Sequence, residues 1–222
     1  RPSMSSVLFF QGRVYLVDAG PNLHAVLRAL GIGIQEVEGI FHTHCHDDHF
    51  AGLTTLIQAS HRVKYYAPAA VRASVSKKLG ALLGLTDTAL DEFFEVHDLD
   101  WDAWNDVAGL EVRPIYSPHP VDTAIYQFRT LWDDGTRTYM HCADVTSFAV
   151  LDRMAGDDPG RPGASAERIA AVKHAYLEPV DLKKIDIGGG LIHGEATDFV
   201  DDASDKIILA HTAQELTVEQ KR

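Results

Sequence analysis

Six consecutive residues, His44-Cys45-His46-Asp47-Asp48-His49, combine three imidazoles with two carboxylates. Two histidines separated by one residue, His44 and His46, can point to the same side of a turn and share a cation through their ring nitrogens. Asp48 and His49 lie further round the turn, where their side chains can reach a second cation a few ångströms away. Nitrogen and carboxylate donors without a thiolate suit zinc, manganese or iron rather than calcium. The loop therefore predicts a site for two divalent metal ions, with zinc favoured and iron or manganese as alternatives.

A loop of this kind cannot complete two coordination spheres, so further ligands must come from elsewhere in the chain. Three polar residues directly follow apolar segments that have the pattern of strands: His119, Asp144 and His211. A side chain in this position is held rigidly at the edge of a sheet, where the sites of α/β folds gather. We therefore expect the side chains of these three residues to lie at the metal site as further ligands.

The elements that must position these residues follow from hydrophobic periodicity and turn signals. The pattern predicts strands at 7–10, 13–17, 37–41, 63–66, 111–116, 123–129, 137–141, 184–187 and 206–210. It predicts helices at 22–30, 70–83, 88–99 and 165–177. One more helix is predicted directly after His44–His49, which we call the histidine loop. Two β-rich halves with helices outside predict an α/β fold, a four-layer αββα sandwich with its sheets face to face. We expect one domain over residues 1–222.

The helices at 70–83 and 88–99 interrupt the alternation of strands and helices. They define a helical insertion at about 69–100. A lid over the site and a simple cover for the sheet are both consistent with this pattern.

Composition narrows the function. The chain has 222 residues and a net charge of −12, from 20 basic and 32 acidic residues, which argues against an extended footprint on nucleic acid. No segment has the roughly 20 unbroken apolar residues of a membrane helix. The two cysteines, Cys45 and Cys142, build neither a disulfide framework nor a CxxC zinc site, which favours a cytoplasmic location. The chain begins with Arg1 rather than methionine, which leaves room for a fused domain upstream.

Taken in order, the motifs resemble the metallo-β-lactamase superfamily. The resemblance rests on Asp18-Ala19-Gly20, on the run from Thr43 to Gly52, and on His119, Asp144 and His211, and it covers residues 14–212. It implies that His44, His46 and His119 hold one metal, that Asp48, His49 and His211 hold the other, and that Asp144 bridges them. Asp48, and Asp144 in place of a cysteine, point away from the antibiotic-degrading branch. A homodimer is one state that the resemblance leaves open.

The segment from Gly188-Gly189-Gly190 to His193 is similar to the end of the phosphodiesterase branch, where a histidine assists departure of the leaving group. His193 is thus either a metal ligand or a general acid. We favour the acid, because His211 better fits a ligand at a strand end. Backbone N–H groups of Gly189 and Gly190 would bind a phosphate together with His193, or the glycines would form a plain turn.

These residues predict a dinuclear metal-dependent hydrolase, most simply a phosphodiesterase acting on a small anionic phosphodiester or cyclic nucleotide through a metal-activated hydroxide. Asp48, Asp144 and His193 are its candidate catalytic residues. A thioester or lactone hydrolase, of the glyoxalase II or lactonase type, would use the same seven ligands. A diiron oxidoreductase is disfavoured, because that branch usually carries glutamate at the position of His46. Fold alone does not choose among these substrates.

Overall fold

Two β-sheets, of five and six strands, carry the fold. They are seen in a computed structural model that describes residues 4–87, 89–156, 164–190, 192–212 and 215–218. The chain divides into two compact units, Arg1–Asn105 with Val121–Ala124 and Asp106–Pro120 with Ile125–Arg222. That the whole chain is one domain stays a prediction.

The sheet of the first unit contains five strands in chain order: β1 (Ser6–Phe10), β2 (Arg13–Val17), β3 (Val37–Phe41), β4 (Val63–Ala67) and β5 (Phe94–Asp98). β1 and β2 form a hairpin across Gln11 (φ 49°) and Gly12 (φ 76°), and two positive φ angles are the geometry that two-residue hairpin loops require. The other pairings are parallel. Parallel strands bring their carboxyl ends to one edge of the sheet, and the histidine loop follows β3 at that edge.

Among the described residues of this unit, five α-helices accompany the sheet: α1 (Leu23–Ala29), α2 (Asp47–Phe50), α3 (Leu53–Leu56), α4 (Ala69–Leu83) and α5 (Ala89–Phe93). The helix predicted after the histidine loop is split into α2 and α3. Leu53 and Leu56 of α3 are buried, as their spacing predicts.

The prediction of a helix at 88–99 is wrong beyond residue 93, and so is a purely helical insertion at 69–100. Residues 94–98 form β5, which pairs in parallel with β4 from Val63↔Phe94 to Ala67↔Asp98. A short apolar stretch does not distinguish helix from strand by its period alone. Pairing decides here, because β5 satisfies the backbone groups of β4 and buries Phe94. Thr88 lies outside the described residues.

The sheet of the second unit has the order β11-β10-β9-β8-β7-β6. Its strands are β6 (Asn105–Val107), β7 (Leu110–Tyr116), β8 (Ala124–Trp132), β9 (Gly135–His141), β10 (Leu182–Asp186) and β11 (Ile207–Ala210). β8 and β9 form an antiparallel hairpin, in which Trp132 pairs with Gly135 across Asp133 and Asp134. β9, β10 and β11 are parallel neighbours, so their carboxyl ends also share one edge.

Two helices, α6 (Phe148–Met154) and α7 (Ala166–Tyr176), belong to this unit. α7 begins where the sequence predicts it, because the Ser165 side chain accepts a hydrogen bond from the Arg168 N–H. Ile169, Val172 and Tyr176 of α7 pack into a buried cluster with Ile185 of β10. None of the described helices has the length and hydrophobicity needed to span a bilayer.

Candidate metal centre

The histidine loop of the first unit is anchored by Asp18, a fully buried carboxylate directly after β2. Asp18 Oδ1 accepts the Thr43 N–H at 2.7 Å, and Oδ2 accepts the Thr43 hydroxyl at 2.8 Å. Oδ2 also lies 2.7 Å from Nδ1 of His49. A carboxylate can only accept, so Nδ1 of His49 carries the proton and Nε2 keeps the lone pair that a metal needs.

His44 and His46 already have the spacing of a chelating pair. Nε2 of His44 lies 3.1 Å from Nδ1 of His46. Two nitrogens on a tetrahedral zinc, with bonds of about 2.0–2.1 Å, are separated by about 3.3 Å. A shared cation explains why two ring nitrogens converge here, and this fit supports a metal at the pair.

Asp48 and His49 stand on α2, which follows His46 without a break. Nε2 of His49 lies 4.0 Å from Oδ2 of Asp48, so both can turn to one ion. The next turn needs a glycine: a Cβ on Gly52 would lie 2.2 Å from the Gly20 carbonyl oxygen. Gly52 thus lets the loop pack against residues 18–20, where the Gly52 N–H donates to the Ala19 carbonyl.

In the second unit, Asp144 lies between two of the predicted ligands. Its Oδ2 is 3.7 Å from Nε2 of His119, and its Oδ1 is 3.7 Å from Nε2 of His211. Asp144 is almost completely buried. Each carboxylate oxygen therefore faces a different imidazole, which is the arrangement that a bridging carboxylate requires.

The turns that present these ligands are held by buried polar groups. The Ser117 hydroxyl lies 2.7 Å from the Tyr176 hydroxyl and donates to the Asp144 carbonyl at 3.3 Å, which ties the His119 turn to the Asp144 turn. Ala143 adopts φ 45° and His211 φ 63°. A positive φ is strained for these residue types, and such strain is typical of functional sites.

Asp186, at the end of β10, is a buried carboxylate of the candidate site that the sequence analysis did not single out. Its Oδ2 lies 2.9 Å from Nδ1 of His193, and its Oδ1 lies 3.7 Å from Nδ1 of His211. Asp186, His193 and His211 are themselves close enough to hold an ion. Burial raises the pKa of Asp186 above its ordinary value, and the hydrogen bond from His193 opposes that rise.

His193 is fixed by this contact beside the other ligands of its unit. Its ring stacks on His211 with centroids 4.2 Å apart, and its Nδ1 lies 3.6 Å from Oδ2 of Asp144. Since Nδ1 is hydrogen-bonded to Asp186, Nε2 is the nitrogen that remains for a substrate or an ion. Both roles predicted for His193 use this atom.

The three glycines before His193 have different functions. A Cβ on Gly188 would lie 2.8 Å from Nδ1 of His211 and 2.9 Å from Cγ of His193, so a glycine is required where the two rings stack. The Gly188 N–H donates to Asp186 and the Gly189 N–H to the Gly194 carbonyl. Gly189 (φ 72°) and Gly190 (φ 84°) turn the chain. These bonds favour a turn, and phosphate binding by Gly189 and Gly190 stays a prediction.

Each unit thus collects the ligands that the sequence assigns to it: four on one loop in the first, and three at strand ends in the second. The sequence analysis missed the roles of Asp18 and Asp186. Both are buried acidic residues, Asp18 directly after β2 and Asp186 at the last position of β10, and neither stands beside a histidine in the sequence. The assignment of individual ligands to metals stays a prediction.

A family model described as "Anti-Pycsar protein Apyc1" matches residues 4–149 of the chain. The chain belongs to this family. The matched segment of the Apyc1 family contains the histidine loop, His119 and Asp144.

Curated relatives of this Apyc1 family member are enzymes. The chain is 28% identical over 117 residues to a cAMP/cGMP-dependent 3′,5′-cAMP/cGMP phosphodiesterase B of Dictyostelium discoideum. This match covers 53% of the chain and 11% of the relative. The chain is 30% identical over 126 residues to a ribonuclease Z of Methanopyrus kandleri, over 54% of this chain and 42% of the relative. The chain therefore spans less than half the length of these relatives.

The fold itself is shown by solved structures. The metallo-β-lactamase fold protein YhfI of Bacillus subtilis is 14% identical, with a TM-score of 0.65 over 98% of this chain and 81% of that chain. The predicted metallo-β-lactamase fold is confirmed. That the chain is a metal-dependent hydrolase stays a prediction.

Proposed function

We propose that the protein is a dinuclear metal-dependent phosphodiesterase that hydrolyses a small phosphodiester such as a cyclic nucleotide. The observation that carries the proposal is His193, held by Asp186 beside Asp144 with one ring nitrogen left for a substrate. A phosphodiester needs such a group, because the departing alkoxide must be protonated. The names of the curated relatives, a phosphodiesterase and a ribonuclease, support this choice.

The residues proposed to hold the metals are those that the superfamily resemblance assigns. His44, His46 and His119 would bind one ion, Asp48, His49 and His211 the other, and Asp144 both. We propose zinc as the native metal, with iron or manganese as alternatives, since the donors are imidazoles and carboxylates. Two such ions, when bound, supply a water of lowered pKa and positive charge near the phosphoryl oxygens.

The remaining steps belong to side chains of this chain. Asp18 accepts a hydrogen bond from Nδ1–H of His49, which leaves the lone pair of Nε2 available for a metal ion. In the doubly protonated ring of His193, Nδ1–H donates to Asp186 and Nε2–H supplies the proton that passes to the leaving oxygen, which returns the ring to its neutral form. The buried carboxylates fix both rings before the substrate arrives.

Hydrolysis of bis(p-nitrophenyl) phosphate and of 3′,5′-cyclic nucleotides by metal-loaded protein tests the proposal. We expect turnover of at least one of these substrates. Turnover of S-lactoylglutathione or of an acyl lactone, with no phosphodiester cleaved, would contradict it and support a thioester or lactone hydrolase.

Replacing His193 separates its two predicted roles. As a general acid, His193→Ala keeps both metals and lowers kcat on cyclic nucleotides by about 10²–10⁴-fold. The loss is much smaller with p-nitrophenyl esters, whose weakly basic leaving group needs no proton. His174→Ala, at an exposed position of α7, is the control. Loss of a metal from His193→Ala would make His193 a ligand.

A further inference from the structure

A cavity of about 680 Å³ opens beside the histidine loop, within the first unit. Its lining includes Asp47, Asp48, Phe50, Lys78, Ala81 and Leu82. We propose that this cavity binds the nucleoside of a nucleotide phosphodiester while the phosphate is held at the metals. The inference rests on the phosphodiesterase function proposed above and adds where the unreacting part of the substrate is recognised.

The position of the cavity links it to the chemistry. Asp48 is a predicted metal ligand and also lines the cavity, so a substrate whose phosphate is held at the metal would have this space beside it. Pockets for small ligands have volumes of roughly 300–1,000 Å³ and are mainly apolar, with a few fixed polar groups. Both the volume and the composition of the cavity are those of a ligand site.

Lys78 supplies the fixed polar group. Its Nζ donates to the Cys45 carbonyl and to Oδ1 of Asp47, each at 2.6 Å, and lies 4.7 Å from the centroid of the Phe50 ring. An ammonium has three donors, and these two bonds use two of them. The third N–H can donate to a hydroxyl or a ring acceptor of a nucleoside.

The end of α4 forms another part of the cavity wall, and 60% of the Leu82 surface is exposed there. An exposed leucine beside a cavity offers a flat base an apolar surface. α4 is fixed in place, because Ser74 donates to Asp122 at 2.8 Å and Arg72 pairs with Asp98 at 2.6 Å. The wall is therefore a built surface, which suits recognition of a rigid ring.

The test places a bulky side chain in the cavity by substitution of an exposed lining residue. Ala81 is exposed on α4, so Ala81→Trp projects a bulky side chain into the cavity without disturbing the core. Ala73→Trp, also exposed on α4 but outside the lining, is the matched control. The substrates are a 3′,5′-cyclic nucleotide and methyl p-nitrophenyl phosphate, whose unreacting group is only a methyl.

We expect Ala81→Trp to raise KM for the cyclic nucleotide by at least about tenfold. Its kcat/KM for methyl p-nitrophenyl phosphate stays within about twofold of the wild type, and Ala73→Trp changes neither substrate. An unchanged KM for the cyclic nucleotide in Ala81→Trp would overturn the inference. So would an equal loss on both substrates, because that result would place the tryptophan at the metals.

Two further measurements keep the inference testable in every case. If Ala81→Trp does not fold, Lys78→Met with Lys77→Met as its control replaces it, and KM for the cyclic nucleotide should rise only in Lys78→Met. If the wild type hydrolyses neither substrate, the phosphodiesterase proposal fails. Calorimetric binding of a nucleoside monophosphate then decides, since equal affinity in wild type and Ala81→Trp would reject the nucleoside site.

Discussion

The two units position their predicted metal ligands in different ways. In the first, His44, His46, Asp48 and His49 come from one loop, and hydrogen bonds to Asp18 fix its shape. In the second, His119, Asp144 and His211 come from three strand ends that only the folded sheet brings together. The first arrangement is a property of local sequence, and the second is a property of topology.

The units share one device despite this difference. Each places a buried carboxylate behind a histidine, with Asp18 at 2.7 Å from His49 and Asp186 at 2.9 Å from His193. In each case the carboxylate accepts a hydrogen bond from Nδ1–H and fixes the direction of the ring. If His49 binds metal and His193 moves a proton, the same device serves binding in one unit and catalysis in the other.

The larger effect is expected in the first unit. Asp18→Asn removes an acceptor from His49 and Thr43, so metal affinity should fall by about 10–100-fold. A zinc titration against a competing chelator measures it, with Asp98→Asn on the surface as the control. Unchanged zinc affinity in Asp18→Asn would mean that the hydrogen bonds of Asp18 to His49 and Thr43 do not contribute to metal binding.

A smaller and different effect is expected in the second unit. Asp186→Asn loosens His193, so kcat on cyclic nucleotides should fall about tenfold while metal affinity changes less than in Asp18→Asn. The loss should shrink with p-nitrophenyl esters, and a merely structural role would not produce this dependence on the leaving group. Equal loss on both kinds of ester would contradict the assigned role.

The smallest effect is on the pH dependence of stability and comes from His42, which precedes the histidine loop. Burial lowers the pKa of His42 from 6.5 to about 4. The unfolded chain takes up this proton below about pH 6.5 and the folded chain does not, so stability is fully present above that pH and falls as the pH drops towards 4. His42→Leu should flatten this part of the stability curve relative to His174→Leu.

Thermal unfolding at a series of pH values, with metal chelated in all samples, measures this contribution. Parallel curves for the wild type and His42→Leu would show that His42 contributes no pH dependence.

The difference between the units also explains what could be predicted from sequence. The histidine loop could be predicted because its candidate ligands are neighbours in the chain. The strand before it, β3, was predicted at the residues where it is found. His119, Asp144 and His211 were found because each directly follows an apolar strand. Their mutual distances were not predictable, since they depend on the order of β7, β9 and β11 in the sheet.

Asp186 and β5 were missed for related reasons. Asp186 acquires its role from a ring seven residues away that folds back onto it around Gly188. β5 is a strand because β4 offers it a partner, whereas its own periodicity favours a helix. In both cases a contact made only in the folded chain decides the outcome.

The central claim is that the protein binds a pair of metal ions, and metal analysis tests it most directly. Purified wild-type protein should carry about two divalent ions per chain. His46→Ala should carry fewer and should lose hydrolysis, whereas His174→Ala should match the wild type. A single ion per chain in the wild type, or two ions retained by His46→Ala, would contradict the account.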